Sequence, residues 1–305
     1  MRPLISYYGG KQRLASKLVP LIPRHSVYVE PFAGGAALLF AKPWPAVSNA
    51  HHYREVINDT CGDLVNLYRV AQEQPEELFH RINTTPYSEA EHARSAAILR
   101  REIPATDLMR AWAYYMKVQT SFANILHGGW GRAVFGRNSA ATWHARDVWA
   151  PLERLRSVHI CQADALECIK QWDSPQTFFY CDPPYPGTDQ GHYDGYTRED
   201  FAALIAALDT CQGSFMLSCY EVPGLVTPDD WQVTRFRARM TAKGAGRIKA
   251  DRSLAAEKDI GAERTEVVYT RANRVPVRPE IAKLYASGAY DCFKGSAPSL
   301  FDAHH

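Results

Sequence analysis

The chain of 305 residues has no run of eighteen apolar residues, so no segment is long enough to cross a hydrocarbon core as a helix. Its first residues lack the apolar centre of a secretory signal. Seven cysteines are scattered without one CxxC pair, which predicts reduced thiols in a cytoplasmic protein rather than a disulfide framework or a zinc site. The histidines at 25, 51, 52, 80 and 92 show no metal-ligand grouping. Neither GxGxxG nor GxxxxGK[ST] occurs, which argues against a dinucleotide enzyme and a P-loop NTPase. An excess of either charge is missing as well. The net is +2, so affinity for nucleic acid has to come from local patches. There is no internal repeat.

What remains is apolar and patterned. With 46% apolar residues the chain can bury a large core, in one large domain or two. VYVEPF (27–32), EVIND (55–59), TFFYC, SFMLSCY and TEVVYTRAN read as strands. GGAALLFAK, GDLVNLYRVAQ and DFAALIAALDTC read as helices between them. That alternation predicts an α/β fold with a mostly parallel sheet covered on both faces. Residues 64–150 differ, reading as several helices followed by a loop rich in Gly, Arg and Trp. They are expected to form a mostly helical insertion between 1–63 and 151–274. Prolines 276 and 279 suggest a boundary before a C-terminal extension, 275–305, that packs on the domain or on a second subunit, as in a homodimer.

Parallel sheets bind ligands beyond the carboxyl ends of their strands, and three strands here end pointedly. Gly34 and Gly35 follow the first, where a backbone can approach a ligand closely. Asp59 ends the second, suited to ribose hydroxyls. The third runs into CDPPYPG. Prolines fix φ and push the preceding residue into an extended conformation. Asp182 is therefore held extended, with carbonyls beside it as acceptors and Tyr185 as a ring. A carboxylate, a carbonyl and an aromatic face suit a planar group bearing an exocyclic NH2. Accepting both N–H bonds turns the amino lone pair out of conjugation and toward an electrophile.

SYYGGK, VEPFAGG and CDPPY, in that order and approximate spacing, resemble the Dam-type DNA adenine-N6 methyltransferases. The resemblance spans roughly residues 4–273. It implies a Rossmann-like methyltransferase fold that uses S-adenosylmethionine, with a target-recognition insertion, acting on adenine in double-stranded DNA. No metal is expected, because a sulfonium already activates its methyl group. By the same resemblance Tyr7 and Lys11, the turn of Phe32, Gly34 and Gly35, and Asp59, Asp164 and Asp182 are expected to bind the cofactor. Asp182, Pro183, Pro184 and Tyr185 are the expected catalytic tetrapeptide. Two departures stand out. Ala36 occupies the second glycine of Phe-x-Gly-x-Gly, for which only a slightly tighter fit is expected. Ala165 to Glu167 lack the aromatic that often follows the acid at 164.

A paired adenine must be flipped out to react, so the chain needs grips on DNA. Residues 127–146 carry Arg132, Arg137 and Asn138, types that read guanine and adenine edges, with Trp130 and Trp143. Residues 235–252 hold seven basic residues, among them Arg237, Lys243, Arg247 and Lys249, against one acid, a candidate phosphate grip. The glycine-rich segment after the tetrapeptide, with Tyr193 and Tyr196, is expected to act as a lid. An N4-cytosine methyltransferase would use the same amine chemistry, although serine is more usual there in place of the aspartate. A catalytically silent DNA-binding protein is the other alternative. Partnership with a nuclease in restriction-modification or a role in epigenetic regulation is equally compatible with the sequence.

Overall fold

A computed structural model describes residues 1–7, 10–43, 53–121, 124, 126–131, 140, 143, 147–184, 196–220, 227–239 and 263–272. Its centre is a seven-stranded sheet. The strands are β1 (Val27–Glu30), β2 (Arg54–Asn58), β3 (Val158–Cys161), β4 (Thr177–Cys181), β5 (Ser214–Tyr220), β6 (Gln232–Arg239) and β7 (Glu263–Arg271). Their order is β3-β2-β1-β4-β5-β7-β6. The first five are parallel, and β7 runs antiparallel to both β5 and β6. The order reverses between β1 and β4, and a crevice at such a switch point is where open sheets bind ligands.

The apolar strands lie between two layers because their side chains alternate. Tyr28, Ile57, Phe178, Tyr180 and Met216 face one core, which also holds Leu38, Leu64, Leu67 and Trp112. Val29, Val56, Phe179, Cys181, Phe215 and Leu217 face the other, with Cys168, Ile169, Phe201, Leu204 and Leu208. Each such side chain contributes roughly 1.5–3 kcal/mol by leaving water. A sheet buried on both faces explains why TFFYC shows no polar alternation.

On the first face stand α1 (Ala15–Leu18), α2 (Ala37–Ala41) and α3 (Gly62–Glu73). Next come α4 (Pro75–Thr84), α5 (Glu89–Leu99), α6 (Asp107–Thr120) and α7 (Trp149–Leu155). The second face carries α8 (Ala165–Trp172) and α9 (Arg198–Thr210). Helix α9 starts where Thr197 and Asp200 cap each other reciprocally, two orphan donors satisfied at once. Residues 111–120 of α6 are all buried, as befits a helix wedged between α3 and α5. The division drawn before residue 64 falls inside α3, which packs on α6 and also on β3 and α7.

Two strands escaped the pattern in the sequence. VHIC is β3, and QVTRFRAR is β6, so residues 235–239 of the basic stretch belong to an edge strand. Charges on an edge discourage pairing with other chains, and they also hide its strand character.

Candidate active site

The N-terminal segment crosses the carboxyl ends of the central strands. A Cβ at Gly35 would lie 3.0 Å from Tyr7 Cβ and 3.3 Å from the Ile5 carbonyl. The close approach that this glycine permits is thus to the chain's own strap. Gly34 has φ 47° and Ala36 φ 49°, so the turn needs left-handed backbone twice. Ala36 therefore keeps the left-handed conformation of a glycine at a cost in strain, where only a slightly tighter fit was expected.

Asp59 follows β2 and is 3% exposed. Its Oδ2 accepts the Gly34 N–H and its Oδ1 the Cys61 N–H, both at 2.9 Å. The Tyr68 hydroxyl donates to the Gly34 carbonyl at 2.6 Å. Asn58, not singled out in the sequence, ties three strand ends together. Its Nδ2 donates to the carbonyls of Pro31 and Ala163 at 3.0 and 2.9 Å, and its Oδ1 accepts the Ala163 N–H at 2.9 Å. A buried asparagine ending a strand, directly before Asp59, was the available signal. Asp164, on the turn that Asn58 holds, caps α8 by accepting the Leu166 N–H at 2.8 Å.

Lys11 and Asp182 meet across 171 residues of sequence, Nζ donating to Oδ1 at 2.7 Å. Lys11 is 8% exposed, and Glu266 Oε1 lies 3.5 Å from the same Nζ. Burial opposes the ammonium charge, but Asp182 and Glu266 outweigh it and hold the group above its ordinary value. Lys11 is therefore charged. Pro183 and Pro184 are buried while Asp182 is partly open, so the prolines wedge the carboxylate into the crevice.

A second acid lies behind this pair. Burial pushes the Glu30 carboxyl up to about 8, against the pull of hydrogen bonds from the Tyr28 hydroxyl and Leu39 N–H. Burial, then the carboxylates of Asp182, Glu30 and Glu266, raise the Tyr180 hydroxyl well above 10, which keeps it a neutral phenol. On the other side the Tyr7 hydroxyl lies 3.3 Å from that of Tyr114 on α6. Phe32 meets Tyr196 edge to face at 6.1 Å.

The structure thus gathers Tyr7, Lys11, Gly34, Gly35, Asp59 and Asp182, with Phe32 and Asp164 on adjoining turns. Tyr185, Arg132, Arg137, Asn138, Lys243, Arg247, Lys249, Tyr193 and the extension 275–305 lie outside the described residues. Arg237 sits on β6 opposite Thr265. Trp143 is 7% exposed and donates Nε1–H to the Thr85 carbonyl at 3.1 Å, so it anchors the insertion. Trp130 packs on Tyr87 at 4.6 Å. Among the described residues no His, Cys, Asp and Glu cluster could hold a metal, and no helix is long and apolar enough to cross a membrane.

The family described as D12 class N6 adenine-specific DNA methyltransferase matches residues 7–101. That stretch carries Tyr7, Lys11, the glycine turn and Asp59, and the sheet brings Asp182 to it. The retron Ec67 DNA adenine methylase of Escherichia coli is 24% identical over 285 residues, 90% of this chain and 93% of that protein. The DNA adenine methylase of Vibrio cholerae serotype O1 is 23% identical, covering 83% and 95% respectively. The type II methyltransferase M.CviBI of Paramecium bursaria Chlorella virus NC1A is 26% identical, covering 71% and 82%.

Proposed function

We propose, from the likeness of residues 7–101 to the D12 class of N6 adenine-specific DNA methyltransferases and of most of the chain to DNA adenine methylases, that it belongs to that class and methylates N6 of an adenine flipped out of double-stranded DNA, with S-adenosylmethionine as donor. The observation that carries the reading is the Lys11–Asp182 contact. It joins the strap and glycine turn to the Asp-Pro-Pro strand end at the switch point of the sheet.

The donor set fits the cofactor. Asp59, Asp182 and Lys11 offer two anions and a cation to a zwitterion with ribose hydroxyls. Phe32 and Tyr7 offer aromatic faces, and Gly34 and Gly35 leave the turn without side chains. In this reading Asp59 receives the ribose and Lys11 and Tyr7 orient the amino-acid end. Asp164 stands near the adenine ring. Bound, the cofactor supplies a methyl group activated by its sulfonium. Asp182 takes one amino hydrogen of the target, and the backbone carbonyls beside the prolines take the other. The amine then cannot conjugate with its ring, and its lone pair points along the crevice. Tyr185 stacks on the base.

Residues 1–63 and 151–274 do this chemistry in our reading, with α3 shared between them and the insertion 64–150. Arg132, Arg137 and Asn138 serve recognition of the site, while Arg237, Lys243, Arg247 and Lys249 meet phosphates.

Transfer of radiolabelled methyl groups to duplex DNA, followed by digestion to nucleosides, tests the proposal. Label in N6-methyl-2′-deoxyadenosine is expected. Label in N4-methylcytosine would shift the assignment to that class, and none at all would indicate a silent DNA-binding protein.

A further inference from the structure

Glu266 enters the site from β7, and the chemistry above makes no use of it. It is 5% exposed. Its Oε1 accepts the Ser218 hydroxyl at 2.6 Å and lies 3.5 Å from Lys11 Nζ. Ser218 is itself fully buried on β5. In the antiparallel register Tyr220 pairs with Glu266 and Ser218 with Val268, so Ser218 and Glu266 are diagonal neighbours, within reach across the ladder.

The two distances from Lys11 differ in kind. At 2.7 Å the ammonium makes a charge-assisted hydrogen bond with Asp182, the length expected of such pairs. At 3.5 Å from Glu266 it feels the charge without giving up that bond. The Ser218 hydroxyl keeps the glutamate in place from the other side. A buried carboxylate is costly unless it is paired and hydrogen-bonded, and Lys11 and Ser218 supply both. An amide or a methionine would fill the same space.

We propose that Glu266 is a positioning residue for methyl transfer, a second negative charge beside Lys11 that aims it at Asp182, so that these three groups together carry a net charge of −1. The inference rests on the function proposed above. The amino nitrogen would become cationic as its bond to the methyl carbon forms and the carbon–sulfur bond of the donor breaks to leave a neutral thioether. It would return to neutral by releasing one hydrogen as a proton to solvent. A closed Lys11–Asp182 pair is neutral and offers that developing charge little. Adding Glu266 restores one negative charge in a setting that excludes most water, where a fixed charge acts strongly on a transition state. Lys11 thus orients the catalytic carboxylate, and Glu266 prevents Lys11 from cancelling it.

Glu266→Gln keeps the shape and removes the charge. Its kcat on duplex DNA should fall about tenfold or more. KM for both substrates, and the calorimetric Kd for S-adenosylmethionine, should stay within about threefold. Glu266→Asp keeps the charge and should recover part of the rate, whereas a role in packing alone would leave it as slow as Glu266→Gln. An unchanged kcat in Glu266→Gln, or no recovery in Glu266→Asp, overturns the proposal. If both variants lose their melting transition, Ser218→Ala decides. It leaves the charge and removes its anchor, so in the fraction that remains folded kcat should drop severalfold while Tm falls only by the loss of one buried hydrogen bond, and an unaffected rate overturns the proposal. A wild-type chain inactive on adenine would remove the parent function as well. An active wild type beside an unaffected Glu266→Gln rejects this inference alone.

Discussion

Gly34 donates its backbone N–H to Asp59 Oδ2 at 2.9 Å, so the glycine turn after β1 hangs from the acid after β2. The same carboxylate takes the Cys61 N–H, which makes Asp59 structural before any ligand arrives. Asp59→Ala strips two backbone donors of their partner, and each costs about 1–3 kcal/mol if left unsatisfied. It should also weaken S-adenosylmethionine binding by about 1.5–3 kcal/mol, the range for hydrogen bonds to a charged group. Urea unfolding and calorimetry on the same variant separate the two effects. Lost stability with undiminished affinity would put the ribose elsewhere.

The difference between what was legible and what was not follows from where the signal resides. TFFYC into Asp182 is a local pattern, since proline stereochemistry and strand burial act within a few residues. The sheet and its ligand edge were therefore readable. Asn58, Glu30 and Glu266 acquire meaning only from partners brought by folding, and the Asn58–Ala163 hydrogen bond spans 105 residues. In sequence each is one polar residue of a strand, with nothing local to mark out its partners. Strand β6 went unread because its charges resemble a solvated run until β7 pairs with it. Asp164 shows the opposite lesson, for its local role as a helix cap was nearer to hand than the ligand role carried over from resemblance.

Ala36 offers a test of backbone strain. A left-handed L-residue costs roughly 1–2 kcal/mol, which Ala36→Gly would relieve. Against that stand about 0.4–1 kcal/mol of unfolded-chain entropy and about 0.8 kcal/mol for a buried methyl. These nearly cancel, so Ala36→Gly should shift stability by less than about 1 kcal/mol, which explains how alanine is tolerated there. Ala36→Val adds β-branching at φ 49° in a fully buried place. It should lose at least about 2 kcal/mol in urea unfolding, and an unaltered midpoint would reject the strain.

Stability should depend on pH through two buried groups with opposite signs. Burial, then Lys42, lowers the His25 pKa from 6.5 to about 3. Its contribution is complete above pH 6.5 and is lost as pH falls toward 3. Burial raises the Glu30 pKa from 4.5 to about 8, so the folded chain keeps a proton that the unfolded chain sheds. Stability therefore falls as pH rises from 4.5 to about 8. The slopes oppose each other between about 4.5 and 6.5, leaving a plateau and then an alkaline decline. Urea midpoints across this range should show both, and Glu30→Gln should abolish the decline. A decline that survives in that variant belongs to another group.

The two basic stretches should separate by their salt response. Neutralising Arg235 and Arg237 together should weaken binding to every duplex alike, and should flatten the salt slope by about 0.9 for each phosphate that the variant no longer neutralises. Arg137→Ala should cost about 1–3 kcal/mol on the cognate site and little on scrambled DNA. Titrations of both duplexes at two salt concentrations distinguish these patterns. Equal weakening on both duplexes for Arg137→Ala would reject base readout there.

Asp182 carries the sharpest expectation. Without its carboxylate the target amine keeps its lone pair in conjugation, and one positioned acceptor is worth about 100-fold or more in rate. Asp182→Ala and Asp182→Asn should both show that drop in single-turnover methyl transfer. Neither should unfold, because Lys11 retains Glu266 at 3.5 Å as a counter-charge. If Lys11 acts by orienting Asp182, adding Lys11→Met to Asp182→Ala should slow the enzyme far less than the two single effects multiplied, since groups acting as a unit are not additive. Fully multiplicative effects would mean that Lys11 serves the reaction independently. An Asp182→Ala protein that methylates at the wild-type rate would remove the catalytic assignment altogether.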